Sequence, residues 1–496
     1  MSAVSNSGLS RRVLLKGGAA VLAAGLSPVV SALQSLASNQ SGNQSGSPAT
    51  ASRRSASPYG PIAPVNDEVT GLPLLQLPAG FSYATLSWVG DLMSDGKPVP
   101  ERLDGMGVVA LEDNEIILIR NHEVGTGTLI SAPACYNKAV RADGSYAAGG
   151  NTTIRFSRQA KREISTSPSL GGTLVNCAGG VTPWGTWLSC EETTIDLTAE
   201  GGLKHGYVFE VRVDAAQTTG MPIVDMGRFK HEAVAIDPRD SVAYLTEDSR
   251  NRSPLYRFIP RDDSQTPGAL EKGGRLQAAK IVGRGYTELF TPMPGETHQI
   301  EWVDIANPDM DPDGDASGPF LQARDAGALS LSRGEGIVYH EGMVYIVDTS
   351  AGLNEEGLAG FGDGAVWMLD PVSDSLRCLF ASTNPTMANN PDNIAISPRG
   401  GLMMCEDGGG AEDEFGFGER IMGLTTTGES YIFAKNNIVL TAEQIAAAGK
   451  HCDPGDYRDR EIAGVCFDPQ GEIMFVNIQI PGITFAIWGP WQQGPV

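Results

Sequence analysis

The sequence predicts an all-β protein, a six-bladed β-propeller with a metal site at the mouth of its central channel. Three observations predict this fold. A strand–turn–strand pattern recurs six times, the 496 residues include 61 Gly and 31 Pro, and no helical periodicity separates the copies. A long sandwich or two separate barrels would also be rich in strands. Neither of them explains six hairpins with the same pattern.

The six copies share one order of residues: an acid or thiol, a small residue, an apolar strand, a turn, and a second apolar strand that ends near another acid. Their first residues are Asp104, Cys177, Glu232, Glu335, Asp392 and Glu461. Their second strands end at Glu123, Glu191, Glu247–Asp248, Asp348, Glu406–Asp407 and Asn477. The starts lie 55 to 103 residues apart, which leaves room for a four-stranded sheet in each copy. Because few residues follow the last copy, we expect it to take a strand from residues 60–100.

The N-terminal region predicts export. Residues 10–16 read SRRVLLK, and an uncharged run rich in Ala, Val and Leu follows, as in a twin-arginine signal. The run is short for a membrane span, so we expect no stable membrane insertion, although an anchor helix with a basic arm is the alternative. We predict a signal peptide over residues 1–37, a disordered low-complexity linker over 38–58, and one catalytic propeller domain over 59–496.

The charge balance excludes one class of partner. There are 36 basic and 59 acidic residues, a formal net charge of −23. So acidic a chain repels phosphate backbones, and we therefore expect no nucleic acid partner. Seven cysteines without a CxxC motif give no zinc pattern, and the sequence leaves open whether Cys135 and Cys452 pair.

The acids at the starts and ends of the hairpins predict a cation site. The innermost strand of each propeller blade lines the channel, so an acid that starts each strand places several carboxylates around one axis. The predicted set contains Glu232, Glu335, Asp392 and either Glu191 or Glu192. Carboxylates so close together need cations, and Ca²⁺ suits them because it accepts six to eight oxygen ligands. The alternative is that each acid only caps a turn.

Two further residues at the predicted mouth have different chemistry. Cys177 takes the place of an acid, and its thiolate would suit iron better than calcium, unless the side chain is simply a small buried hydrophobe. Arg333 stands two residues before Glu335, where a guanidinium could bind phosphate or form a structural salt bridge. The residues alone leave both alternatives open.

Several motifs of this chain resemble those of the PhoX-type alkaline phosphatases, in the family's order. They are NCAGGVTPWGTWLSCEE at 176–192, KHEA at 230–233, RGEG at 333–336, NNPDN at 389–393 and AIWGPW at 486–491. With the twin-arginine pattern, the resemblance covers residues 60–496 and the N-terminus. The chain is shorter than well-studied members, which puts its substrate range and full metal content in question.

The resemblance implies a monomeric periplasmic or secreted phosphomonoesterase, exported by the twin-arginine machinery, that acts on small-molecule phosphate esters. It implies Ca²⁺ and a pair of Fe³⁺ ions at the channel mouth. Matched residue by residue, Cys177 would be an iron ligand, Glu232 and Glu335 metal ligands, and Arg333 the residue that binds substrate phosphate. Asp392 and one of Glu191 or Glu192 match further acidic positions of the family motifs.

Two other functions fit a metal-binding propeller. One is a different metal-dependent hydrolase, a lactonase or a phytase-like enzyme, since propellers support many chemistries. The other is a non-catalytic binding propeller that uses calcium only as a structural pin. A lactonase would need neither Arg333 nor an iron-binding Cys177. The non-catalytic protein would hydrolyse no phosphate ester even when its metals are loaded.

Overall fold

The computed structural model describes residues 52–425 and 428–496, and this part of the chain is predominantly β. The large sheets contain nine, six, five, four and three strands. The nine-stranded sheet runs, in spatial order, through His231–Ile236, Ala243–Glu247, Tyr256–Pro260, Gly274–Ile281, Thr297–Asp304, Ser375–Ala381, Ala365–Asp370, Met343–Asp348 and Gly334–His340. The six-stranded sheet runs through Ile62–Val65, Leu75–Pro78, Ser430–Asn436, Arg420–Leu424, Leu402–Glu406 and Pro391–Ile396.

The remaining elements are shorter. The five-stranded sheet contains Leu103–Glu112, Glu115–His122, Gly149–Ser157, Arg162–Thr173 and Ala134–Cys135; the four-stranded sheet contains Ser82–Leu86, Ile483–Trp488, Ile473–Ile478 and Ile462–Phe467; the three-stranded sheet contains Asn176–Val181, Trp187–Glu191 and Val208–Val211. Two-stranded ribbons pair Thr126–Gly127 with Tyr146–Ala147, Thr287–Glu288 with Leu329–Ser330, Ala411–Asp413 with Gly416–Gly418, and Val439–Leu440 with Gly455–Asp456. The α-helices are Gly318–Asp325 and Ala442–Ala448, and short 3₁₀ turns occupy Thr198–Glu200, Ala215–Gln217, Val224–Met226, Leu270–Lys272 and Trp491–Gln493.

The first strands of the six repeats, the inner strands, surround one central channel. They are Leu103–Glu112, Asn176–Val181, His231–Ile236, Gly334–His340, Pro391–Ile396 and Ile462–Phe467. Each inner strand contacts the next, the last contacts the first, and all six line a common cavity of about 450 Å³. The arrangement confirms an all-β, propeller-like fold and excludes a sandwich or two barrels.

The number of blades differs from the prediction. Counted as separate sheets of at least four strands, the described residues form four blades, not six. The physical reason is in the loops between repeats. Thr297–Asp304 pairs with both Gly274–Ile281 and Ser375–Ala381, which merges two repeats into one nine-stranded sheet. The repeat that starts at Cys177 has only three strands in its sheet.

The apolar faces of neighbouring repeats pack against each other around the channel. Ile116 and Leu118 of the first repeat, for example, contact the cluster that contains Phe475 and Ala486 of the last. Trp187 and Phe209 lie in the cluster shared by the first and second repeats. Burial of strand residues on both faces explains the long apolar runs in the sequence. The ring of clusters fixes the inner strands, and with them the channel mouth.

The predicted closing strand is confirmed. Ser82–Leu86 pairs antiparallel with Ile483–Trp488, so an N-terminal strand completes the sheet of the last repeat. Among the described residues, no helix combines the length and apolar character that a membrane crossing needs.

The predicted N-terminal boundaries are only partly visible. The signal peptide, 1–37, and most of the linker lie outside the described residues. Within the linker prediction, however, Ser55 donates its backbone N–H to Ser430, and Arg54 forms an ion pair with Glu414. These contacts attach residues 54 and 55 to the folded unit, and the domain boundaries themselves stay a prediction.

Candidate metal and phosphate site

A bulge at the same end of every inner strand creates the site. In the first repeat, two residues of the inner strand are unpaired between the pairs Leu103–His122 and Met106–Arg120. The same shift of register recurs in the other five repeats. A bulge breaks the alternation of the strand and redirects a side chain. The residues that directly follow the last regular pair are Asp104, Cys177, Glu232, Glu335, Asp392 and Gly464.

We call Asp104, Cys177, Glu232, Glu335 and Asp392 the first ring. The sixth position is Gly464, which carries no ligand atom on its side chain. This corrects the alignment of the sixth copy, which the sequence pattern started at Glu461. Gly464 has φ +66° and its N–H donates to the Oδ1 of Asn393, so the backbone turns where the other repeats place an acid or thiol.

A second set of acids follows the strands that pair with the inner strands. Glu123, Glu192, Asp248 and Asp407, the second ring, each come one residue after the position paired across the bulge. In the Glu335 repeat that position is Thr349. Successive side chains of a strand point to opposite sides. The side chain of each of these acids therefore points to the side opposite that of the residue before it, which we call its predecessor. The sequence pattern identified them only as hairpin ends, apart from Glu192.

Glu191 illustrates the predecessor position. Its Oε1 accepts from the backbone N–H of Leu174 at 2.8 Å and lies 2.6 Å from the Nδ1 of His205. Its Oε2 accepts from the backbone N–H groups of Gly206 and Tyr207. The carboxylate therefore organises its own loop, and the structure does not bring it together with the other predicted metal residues.

The other five predicted metal residues do lie together. Ligand atoms of Cys177, Glu192 and Glu232 lie within 4.8 Å of one another, and so do those of Glu232, Glu335 and Asp392. Glu232 belongs to both groups and is fully buried. Neither of its carboxylate oxygens has a hydrogen-bond partner among the described residues. A buried carboxylate without partners is costly, and a cation shared by these groups would remove that cost. The donor set therefore fits metal ions.

The electrostatics of the mouth support the same conclusion. Burial, followed by the charge of Glu335, raises the pKa of Glu232 well above its ordinary value. Burial, followed by the charge of Asp407, raises the pKa of Asp392 to about 7. Burial, followed by the charge of Asp104, raises the pKa of the Cys177 thiol. These groups repel each other when ionised, and bound cations would lower their pKa values again.

Arg333 brings a positive charge to this acidic mouth. Its Nε donates to the Oδ1 of Asp248 at 2.7 Å, and its Nη2 lies 2.9 Å from the Oε1 of Glu335. The side chain is 25% exposed, so part of the guanidinium faces the open mouth. Arg333 thus forms the salt bridge that was the structural alternative for its role, and through Glu335 it contacts one of the two candidate metal-binding groups.

A glutamine links the acids on the opposite side of the mouth. The Nε2 of Gln479 donates to Glu123 and Glu461 at 2.8 Å each, and it lies 3.2 Å from the Oδ2 of Asp104. The sequence pattern did not identify Gln479, because it lies in the turn directly after the strand Ile473–Ile478, beyond the end of the repeated hairpin. The cysteines other than Cys177 are outside the mouth groups, and Cys135 and Cys452 are both free.

Comparison with known proteins identifies the family independently of this geometry. A family model described as "Alkaline phosphatase PhoX" matches residues 57–482. The chain belongs to the PhoX alkaline phosphatase family. It is therefore a metal-dependent hydrolase of phosphate monoesters, which confirms the resemblance and decides against a lactonase and against a non-catalytic propeller.

One solved structure supports the fold. Pseudomonas fluorescens PhoX, described as in complex with vanadate, a transition-state analogue, matches with a TM-score of 0.60 and 18% identity, over 88% of this chain and 99% of that chain. The WD40 β-propeller domain of Doa1 matches with a TM-score of 0.36 and 10% identity, over 83% of this chain and 100% of that chain, a likeness too weak to support an argument. No curated protein sequence matches the chain.

Proposed function

We propose that the phosphatase centre is the channel mouth, with metal ions held by the two groups that share Glu232 and with substrate phosphate bound by Arg333. The observation that supports this most is the buried Glu232 carboxylate, which has no protein partner and stands between two sets of ligand atoms. The vanadate complex of the Pseudomonas relative supports phosphoryl transfer as the reaction, since vanadate is described there as a transition-state analogue.

The donor atoms suggest a division between metals. Glu232, Glu335 and Asp392 offer only carboxylate oxygens, which suit Ca²⁺. Cys177, Glu192 and Glu232 add a thiol sulfur, which as thiolate suits Fe³⁺ better. When bound, such cations act as Lewis acids that neutralise charge on the phosphate group. Glu191 is not proposed as a ligand, because protein groups already occupy both its oxygens.

The protein's own residues would bind and orient the substrate. Asp248 accepts from the Nε of Arg333 and so fixes the plane of the guanidinium. The Nη2 of Arg333 also donates to Asp248 and contacts Glu335, so an Arg333 held in this plane would present the N–H groups of its Nη1 to phosphate oxygens as charged donors. Because the mouth is largely buried, its effective dielectric constant is lower than that of water, which strengthens this charged contact. No serine or threonine nucleophile is needed.

Metal removal tests the proposal. The native holoenzyme is expected to hydrolyse p-nitrophenyl phosphate at alkaline pH and to contain calcium and iron by elemental analysis. Extended dialysis against EGTA should lower turnover by at least about tenfold and lower the melting temperature, since unneutralised carboxylates repel each other. Readdition of Ca²⁺ should restore both. A calcium-free protein with full activity and an unchanged melting temperature would contradict the assigned groups.

We also propose that the enzyme reaches the periplasm or the exterior through the twin-arginine machinery and acts as a monomer. The support is the SRRVLLK sequence at residues 10–16, which lies outside the described residues. Replacing Arg11 and Arg12 together by lysine is expected to leave uncleaved precursor in the cytoplasm, as judged by fractionation and immunoblotting. Unimpaired export of this variant would contradict the proposed route.

A further inference from the structure

One loop at the mouth exposes apolar side chains. Residues 352–363, which we call the rim loop, connect Met343–Asp348 to Ala365–Asp370. Leu353, Leu358 and Phe361 are 57%, 54% and 43% exposed. Three large apolar side chains in one short loop are unusual next to an acidic cleft, because exposed apolar surface is normally dispersed.

The rim loop stands at a gap in the second ring. It follows Thr349, which occupies the position where four other repeats place Glu123, Glu192, Asp248 and Asp407. Asn390, two residues before the ligand residue Asp392, anchors the loop from the next repeat. Its Nδ2 donates to the carbonyl of Thr349 at 2.8 Å, and its backbone N–H donates to the carbonyl of Asp363. The loop is therefore fixed beside the metal-ligand groups.

Arg250 connects the rim loop to Arg333. Its guanidinium carbon lies 4.7 Å from the ring centroid of Phe361, and its Nη1 donates to the carbonyl of Gly360 at 3.0 Å. Arg250 comes two residues after Asp248, the partner of Arg333. Burial, followed by the charge of Arg333, lowers the pKa of Arg250. The exposed apolar side chains of the rim loop thus lie next to the residues around Arg333, the proposed phosphate contact.

We propose that Leu358 and Phe361 of the rim loop contact the alcohol portion of the substrate and favour phosphate monoesters of aromatic or apolar alcohols. This inference rests on the proposed function, because it takes the phosphate to lie at Arg333. With the phosphate at Arg333, a substituent that extends past Arg250 would reach the rim loop. An aromatic substituent that covers Phe361 removes apolar surface of both partners from water.

The test compares two substrates in the metal-loaded holoenzyme. Phe361→Ala is expected to lower kcat/KM for phenyl phosphate about 5- to 20-fold, and kcat/KM for glycerol phosphate less than about twofold, as expected for loss of an apolar contact. Leu358→Ala should shift the same ratio in the same direction. The matched control is Val372→Ala. Val372 is 76% exposed in the turn between Asp370 and Ser375, at the opposite end of the same repeat.

A binding measurement separates this inference from the proposed function. Phenylphosphonate is expected to inhibit the native enzyme more strongly than methylphosphonate, and Phe361→Ala should reduce this difference. Equal inhibition by both phosphonates, or an equal fall in kcat/KM for both esters in Phe361→Ala, would overturn the role of the rim loop while leaving the phosphatase centre intact. A native, metal-loaded enzyme that hydrolyses neither ester would instead overturn the proposed function.

Discussion

Replacing Arg333 by alanine is expected to lower kcat/KM for p-nitrophenyl phosphate about 100- to 1000-fold, the range seen when one preorganised donor to a developing charge is removed. The loss should fall on both kcat and KM, because the guanidinium would contact phosphate in the ground state and would bind it more strongly in the transition state, where charge develops. Inhibition by inorganic phosphate should weaken in parallel. Steady-state kinetics with elemental analysis of each preparation measure all three effects.

Two further variants make the Arg333 prediction specific. Arg333→Lys should recover only part of the activity, since an ammonium group cannot present a planar fork. Arg239→Ala is the matched control, because Arg239 pairs with Asp237 at the opposite end of its hairpin. It should retain activity. If Arg333→Ala hydrolyses phosphate esters as fast as the native enzyme, Arg333 serves only as the salt bridge to Asp248 and Glu335.

The second large effect is expected from Cys177→Ser. A hydroxyl is a harder donor than a thiolate and stays protonated, so this variant should lose most of its iron and most of its activity while it retains much of its calcium. The fold should persist, since the substitution removes only one ligand of one group. Elemental analysis, activity and thermal unfolding of the same preparation test this prediction.

Cys190 provides the matched control for Cys177. It is buried in the neighbouring strand of the same hairpin and lies outside both metal-ligand groups. Cys190→Ser should cost about 1 to 3 kcal/mol of stability, the price of a buried hydroxyl, and leave the iron content unchanged. If Cys177→Ser behaves in the same way, with full iron and full activity, Cys177 is a packing residue.

The sequence predicted the fold class and most of the mouth because acids recurred at one phase of a repeated hairpin. It could not distinguish Glu191 from Glu192, since only the strand register shows which of two adjacent carboxylates turns back to Leu174 and His205. The bulge also leaves no signature in the apolar pattern. The pattern therefore aligned the sixth copy on Glu461 and not on Gly464, three residues later. The roles of Asp248 and Gln479 could not be predicted either, because both residues act through side-chain contacts with a different repeat.

The number of separate blades was unpredictable for a related reason. Whether Thr297–Asp304 joins one repeat or bridges two depends on pairing at sheet edges, and a strand with two available partners looks the same in sequence either way. The six inner strands carried a clear pattern because they are buried at the channel. The outer strands, which vary in number from repeat to repeat, did not.

The pairing of Ser82–Leu86 with Ile483–Trp488 also determines when the ring of repeats can close during biosynthesis. These strands are separated by about 400 residues, so the earlier one leaves the ribosome long before its partner exists. Until then the last repeat lacks a strand and the ring of repeats stays open. The proposed metal ligands come from four different repeats, and they acquire their final spacing only after the ring closes. Acquisition of the ions is therefore a post-translational event, and it belongs to the compartment in which the chain finishes folding.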